Sequence, residues 1–254
     1  MFKNKKRLFT FGCSFTNYNW NYTWPEILKV ELGLPLYNYG KIGAGNQYIF
    51  NTIMQADNHY KFNSDDLIMI CWSGVHREDR YAYDEWHHTS NVFYNKNEMY
   101  NTEWVKKYCD PNGMALRDYA LFKATDMLLQ RSGCESYRMS MNTLTMGIDK
   151  EIQEMYKYTL MNIRPSFLSV LWKDDWEVKK KLIRDMNPIV DDYHPSPIEH
   201  LIYLSKTFNY KFSNPVIYGV SQFQSEWEKI VKQSKEPRFI YKPYQVSENL
   251  VGYI

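Results

Sequence analysis

Hydrophobic and polar positions alternate between two rhythms along this chain. Three short stretches are apolar almost throughout: Arg7 to Cys13, Leu36-Tyr37-Asn38-Tyr39, and Asp66 to Trp72. Near-continuous apolar runs bounded by turn residues are the signature of buried parallel strands. The third, Leu67-Ile68-Met69-Ile70-Cys71-Trp72, is the strongest and predicts a central strand. Tyr137 to Leu144 predicts a fourth. Between the strands the spacing becomes helical. Thr23 to Leu32 predicts a first helix, with Pro25 near its start, where a missing N–H costs nothing, and Gly33 ending it. Asn46 to Asn58 predicts a second, with Ile49, Ile53 and Met54 on one face. Further helices are expected over Met114–Gln130, Lys150–Met161 and Trp176–Met186, from Glu199 to Lys206, and from Ser221 to Lys232. Arg164 to Trp172 fits neither rhythm. From Arg77 to about Asp110 the chain reads as a long, polar, aromatic loop, and long connections in compact domains are usually lids or binding loops.

Composition adds bounds rather than a function. The chain has 254 residues, 44% of them hydrophobic, enough for one substantial core. Residues 1–207 are expected to form the main domain. Residues 208–254 are a C-terminal extension, packed on it or acting as an arm, with Pro237 and Pro243 keeping its end extended. A net charge of +2 does not call for nucleic acid, and Lys3-Asn4-Lys5-Lys6-Arg7 suits a solvated lead-in to the first strand. No stretch approaches a membrane span and no apolar signal core is visible, so cytoplasmic synthesis is expected. Cys13, Cys71, Cys109 and Cys134 show neither a Cys-x-x-Cys pair nor zinc spacing, which points to buried thiols in a reducing compartment. Aromatics make up 17% of the chain; they can stack on sugars or simply fill a core.

Candidate chemistry begins at Phe11-Gly12-Cys13-Ser14-Phe15-Thr16. Ser14 falls where the first strand ends and a turn, continued by Asn17, Asn19 and Asn21, begins. Ligands of open α/β sheets bind at the carboxyl ends of strands, so Ser14 can be exposed there to a base from another loop. Cys13 is less well placed to leave the strand. The turn Gly40-Lys41-Ile42-Gly43-Ala44-Gly45-Asn46 could cradle phosphate, but it lacks the P-loop and dinucleotide patterns. It could be a plain strand-to-helix connection, or it could aim N–H groups at a developing oxyanion. Late in the chain, Asp191-Asp192-Tyr193-His194-Pro195 puts a carboxylate and an imidazole on one loop. Asp191 can hold the imidazole tautomer while His194 reaches Ser14, and Asp192 is the alternative orienter. Asp174, Asp175, Asp191 and Asp192 as a metal site is the weaker reading, because no His or Glu stands at ligand spacing. No cofactor is expected.

These blocks, in this order, resemble the SGNH (GDSL-like) hydrolase family. Gly12-Cys13-Ser14 is similar to its Gly-Asp-Ser motif, with Cys13 replacing the aspartate. Asn38-Tyr39-Gly40 through Asn46 is similar to its second block, and Asp191 to Ser196 to its Asp-x-x-His-Pro block. The third block departs: the family's asparagine falls at Val75, unless Ser73, His76 or Arg77 supplies the missing donor. The resemblance implies a three-layer α/β/α sandwich with a central parallel sheet, usually of five strands, in an SGNH-hydrolase or flavodoxin-like arrangement. It implies ester hydrolysis or acyl transfer without a metal. Ser14 would be the nucleophile, His194 the base and Asp191 the orienter. The N–H groups of Ser14 and Gly43 would form the oxyanion hole, with Ser73 as first choice for a third donor. Asn46, Trp72 and Arg77 are further candidates for substrate or donor contacts. The expected substrate is an acylated small molecule or carbohydrate, with the Arg77–Asp110 loop as its wall. The alternatives are an O-acyltransferase, and a weakened hydrolase fold serving as a binding or structural component of a larger assembly such as a virion; as partners, a homo-oligomer or such an assembly is expected.

Overall fold

The computed structural model describes residues 4–17, 22–94 and 99–237. Asn19, Asn21 and Pro243 lie outside the described residues. Four strands form one parallel sheet: β1 (Arg7–Gly12), β2 (Leu36–Gly40), β3 (Asp66–Trp72) and β6 (Glu135–Ser140), in the order β2-β1-β3-β6. Its in-register pairs include Gly12 with Cys71 and Trp72 with Ser140. This is the strand order of a doubly wound sheet up to its fourth strand. The fifth strand that the resemblance implied shrinks to a single parallel bridge between Arg138 and Ile163. The chain that follows coils instead into α7 (Phe167–Trp172), which Ser166 caps by accepting the N–H of Ser169.

Every residue of β3 is buried, so its two faces belong to two cores. Leu67, Met69 and Cys71 join Leu8 and Cys13 on one face. That face is covered by α1 (Trp24–Leu32), α7, α9 (Pro197–Phe208) and α10 (Asn214–Gln233). Ile68, Ile70 and Trp72 join Phe9 and Phe11 on the other. It is covered by α2 (Asn46–Tyr60) and α4 (Pro111–Ser132), then by α5 (Lys150–Met155) and α6 (Lys157–Met161). The result is a three-layer α/β/α sandwich. In α2, Ile49, Ile53 and Ala56 face the core while Met54 is exposed, so the apolar stripe lies slightly around from the expected one. The helix expected over Lys150–Met161 breaks at Tyr156 into α5 and α6. The C-terminal helix α10 packs through Val216 and Val220 onto the main core. Its Trp227 and Val231 meet Ile183 of α8 (Trp176–Met186) and Val190.

The segment expected to be a loop is structured. An antiparallel hairpin, β4 (Arg77–Ala82) and β5 (Glu85–Asn91), is followed by α3 (Thr102–Tyr108). The turn carries Tyr83 and Asp84, both at positive φ, 53° and 63°. Two-residue hairpin turns need that geometry and usually signal it with Asn-Gly. Tyr-Asp hides the signal, and the strands beside it are charged rather than apolar.

Candidate active site

Ser14 is placed by a tight turn after β1. Thr16 and Asn17 donate their N–H groups to the Cys13 carbonyl at 2.9 and 3.0 Å. A Cβ on Gly12 would lie 2.1 Å from Thr16 Oγ1 and 2.9 Å from the Cys71 carbonyl oxygen. Only glycine lets the turn fold back this closely. Ser14 stands at the turn, 6% exposed, while the Cys13 thiol is buried and donates to Met141 Sδ at 3.6 Å.

His194 arrives from the loop between α8 and α9. Its Nε2 lies 2.8 Å from Ser14 Oγ, and its Nδ1 lies 2.5 Å from Asp192 Oδ1. The carboxylate that bonds the imidazole is therefore Asp192, one position on from the expected Asp191. Asp191 is exposed, and its N–H donates to the Pro237 carbonyl at 2.6 Å. Asp192 wins because a carboxylate two residues before the histidine closes an Asx turn. It accepts the His194 N–H at 3.0 Å as well as the ring. Burial works to raise the Asp192 carboxyl, but the charge and the side-chain and backbone hydrogen bonds of His194 outweigh it. The net displacement is below the ordinary aspartate range. The loop is anchored just beyond. Glu199 accepts the Ser196 N–H at 2.7 Å and Trp172 Nε1 at 3.0 Å, and it pairs with the buried Lys179 ammonium. The Phe15 ring lies 5.5 Å from the imidazole.

Gly43 sits at φ 76° in the turn before α2. Neither its N–H nor that of Ser14 donates to any acceptor among the described residues. Lys41 ties this turn to the end of β1 by donating its N–H to Gly12 O at 3.0 Å. Arg77 Nη1 donates to Ala44 O at 2.9 Å, and Arg77 Nη2 reaches Met141 Sδ at 3.2 Å, the same sulfur that meets Cys13.

The other named candidates are placed elsewhere. Ser73 is fully buried, and its N–H and hydroxyl both donate to Asn46 Oδ1, at 2.9 and 3.3 Å, so its hydroxyl is not free for an oxyanion. Asn46 is itself buried, and its amide donates to Ser73 O at 3.1 Å and to Asp118 at 2.7 Å. It ties α2 to α4 and β3 rather than facing a substrate. Trp72 is buried with its ring 4.4 Å from that of Phe122. The Arg77 guanidinium is committed to Ala44 and Met141. Of the Trp72–Arg77 turn, His76 keeps a buried Nε2 with no hydrogen-bond partner, and burial holds this half-buried imidazole below its usual range. Asp175 caps α8 by accepting the Glu177 N–H at 2.9 Å, and Asp174 pairs with the Thr143 hydroxyl. Among the described residues no three His, Cys, Asp or Glu side chains form a group that could hold a metal ion, and no helix is long and apolar enough to cross a membrane.

Sequence reasoning missed Asp79, whose carboxylate holds the start of α2 from the hairpin. Its only signal was three consecutive charged residues, Arg77-Glu78-Asp79, directly after the strongest apolar strand. A cleft of about 460 Å³ also lies along this insert, lined by Glu78, Arg80, Trp104, Tyr108, Met114 and Arg117 among others.

No protein-family model and no curated protein matches the chain. Solved structures do. A lipolytic protein of the G-D-S-L family from Veillonella parvula is 15% identical with a TM-score of 0.44, over 80% of this chain and 97% of that one. The psychrotrophic esterase EstA from a Pseudoalteromonas species is 11% identical with a TM-score of 0.44, over 81% and 97%. An acetylxylan esterase from Geobacillus stearothermophilus is 12% identical with a TM-score of 0.40, over 83% and 98%. These overlaps are loose, and the functional reading rests on the distances given above.

Proposed function

We propose that the chain is a serine ester hydrolase that removes O-acyl groups through Ser14, His194 and Asp192. The observation that carries this reading is the continuous relay from Ser14 Oγ through both imidazole nitrogens to Asp192, at 2.8 and 2.5 Å. With Asp192 ionised, Nδ1 keeps its proton and Nε2 presents a lone pair to the serine hydroxyl. As Ser14 Oγ bonds to the ester carbonyl carbon, its proton passes to His194. The carbonyl oxygen takes the negative charge and faces the N–H groups of Ser14 and Gly43. His194 then gives its proton to the departing alcohol, leaving an acyl-serine. Water, deprotonated by the same imidazole, releases the acid and restores the hydroxyl. The aromatic insert suits an acylated carbohydrate, since rings of its kind stack on sugar faces.

A second reading has its own support. Removing one oxyanion donor costs about 2.7–4 kcal/mol, and Ser73 and Arg77 are both committed elsewhere. That favours a weakened hydrolase fold acting as a binding or assembly component. A fluorophosphonate probe separates the two. The hydrolase reading expects stoichiometric labelling that Ser14→Ala abolishes, with turnover of a short acyl ester falling by roughly 10⁴-fold or more. Absence of labelling in the intact protein leaves the binding reading. Product analysis with water against a sugar acceptor then distinguishes hydrolysis from acyl transfer.

A further inference from the structure

The turn that carries Gly43 is held from outside the sheet. Gly43 O accepts the Ser90 N–H at 3.2 Å, and Ala44 O accepts Arg77 Nη1 at 2.9 Å. Gly45 N–H donates to Asp79 Oδ1 at 2.8 Å, and Tyr48 N–H donates to Asp79 Oδ2 at 2.9 Å. His88 Nδ1 completes the set at 2.8 Å from Asp79 Oδ1. All of these outside contacts come from the β4–β5 hairpin. On the near side, Ala44 N–H donates to Lys41 O at 3.2 Å. The peptide groups before and after the Ile42–Gly43 peptide are thus tied, while the Gly43 N–H that this peptide carries is left open.

The geometry follows from strand alternation. Arg77 and Asp79 are two apart and share one face of β4, toward the turn. Glu78 faces the other way and pairs with Arg117 Nη1 at 2.5 Å. The Asp79 side chain is fully buried, and burying a lone carboxylate is costly unless donors surround it. Two backbone N–H groups and an imidazole do so. The need is mutual. The N-cap of α2 is Gly45, which has no side chain to cap with, and the first turn carries no acidic residue, so its open N–H groups and positive end lack a local partner. A Cβ on Gly43 would meet Ser90 Oγ at 3.3 Å and His88 Cβ at 3.4 Å, so the hairpin also packs directly against that residue.

We propose that Asp79 is a positioning residue for acyl transfer: with Ser90 and His88 it fixes the direction of the Gly43 N–H toward the oxyanion. The inference rests on the reading of Ser14 as the acyl acceptor. A fixed donor costs no reorganisation as charge develops, whereas a swinging one does. A misplacement near 1 Å can cost roughly 10²-fold in rate.

The test compares Asp79→Ala and Asp79→Asn with the intact chain. Folded Asp79→Ala should lose about 10- to 100-fold in kcat and in the rate of Ser14 phosphonylation, with KM moving less than about threefold. Asp79→Asn, which keeps one acceptor oxygen, should recover part of the loss. A plain helix cap would lower thermal stability and leave kcat of the folded protein unchanged, and that result overturns the proposal. If Asp79→Ala does not fold, His88→Phe removes one donor and should still lower kcat by roughly 3- to 10-fold; unchanged kcat in that variant overturns it equally. Backbone ¹⁵N relaxation gives a readout independent of turnover. The Gly43 amide should pass from rigid, about 0.85 in order parameter, to below about 0.6 in the Asp79 or His88 variant, with the Ser14 amide unmoved. A Gly43 amide that stays rigid overturns the positioning role. An intact protein that is neither labelled nor active sinks the hydrolase reading instead, and leaves the relaxation result to decide whether Asp79 holds Gly43.

Discussion

The central strand β3 and the start of β4 bury their chains by opposite chemistry. β3 is buried along its whole length and places apolar side chains on both faces. β4 opens with three consecutive buried charged residues, Arg77, Glu78 and Asp79. An apolar strand specifies that it lies inside, since hydrophobic burial is non-directional. A buried charge specifies its partners one at a time, because each unpaired group is costly. The sheet therefore fixes where the strand ends lie. The β4–β5 hairpin fixes how the Gly43 turn sits against them.

The sharpest break in this comparison lies at the strand ends, in the His194 loop. Asp192→Asn should keep the fold and lower kcat by about 10⁴-fold, because the imidazole loses its orienting carboxylate. Asp191→Asn should stay within a few-fold in the same steady-state assay. The opposite pattern would return the orienter to Asp191. Within the sheet the effect moves from rate to stability. Ile70→Ala leaves a cavity between β3 and its covering helices and should cost about 2–5 kcal/mol by denaturant titration, with little dependence on pH.

The place where α4 meets the insert should behave differently with pH. Asp118 accepts from Arg117 Nε and Asn46 beside the Glu78–Arg117 pair. Its burial, the largest influence, pushes it up to about 7 against the pull of Arg117 and of both hydrogen bonds. The unfolded carboxyl titrates near 3.9. Between those values the folded chain holds a proton that the unfolded chain has lost. Stability from this group is thus present at low pH and is lost as pH rises from about 4 to about 7. Unfolding free energy measured from pH 5 to 8 should fall by up to about 1.4 kcal/mol per pH unit over that window. Asp118→Asn should flatten the slope, whereas Ile70→Ala should keep it. The smallest effect is expected at the hairpin turn. Asp84→Gly relieves a positive φ and should add no more than about 1 kcal/mol, read as a small rise in Tm; a fall would show that the Asp84 side chain holds the turn.

Four strands and most of the helices were legible in the chain because their rhythm is local. Asp66 to Trp72 and Trp176 to Met186 end where the pattern ends. The pairing of Ser14 with His194 was legible as an order of residue types, serine early and histidine on a late aspartate-rich loop. The hairpin was not, because its turn residues are Tyr83 and Asp84 and its buried side is charged. Nor was the choice of Asp192. It depends on an Asx turn that aims one carboxylate inward while its neighbour stays in water. Ser73, Asn46, Trp72 and Arg77 had the right chemistry near the right block, yet Ser73 and Asn46 bond each other, Arg77 is held by Ala44 and Met141, and Trp72 is buried in the core. Composition and period determine which segments go inside and in what form, since those follow from side chains acting through water. The partner of each buried polar atom is decided only when distant segments meet: His194 lies 180 residues from Ser14, and Asp79 lies 34 residues from the Gly45 N–H that it holds.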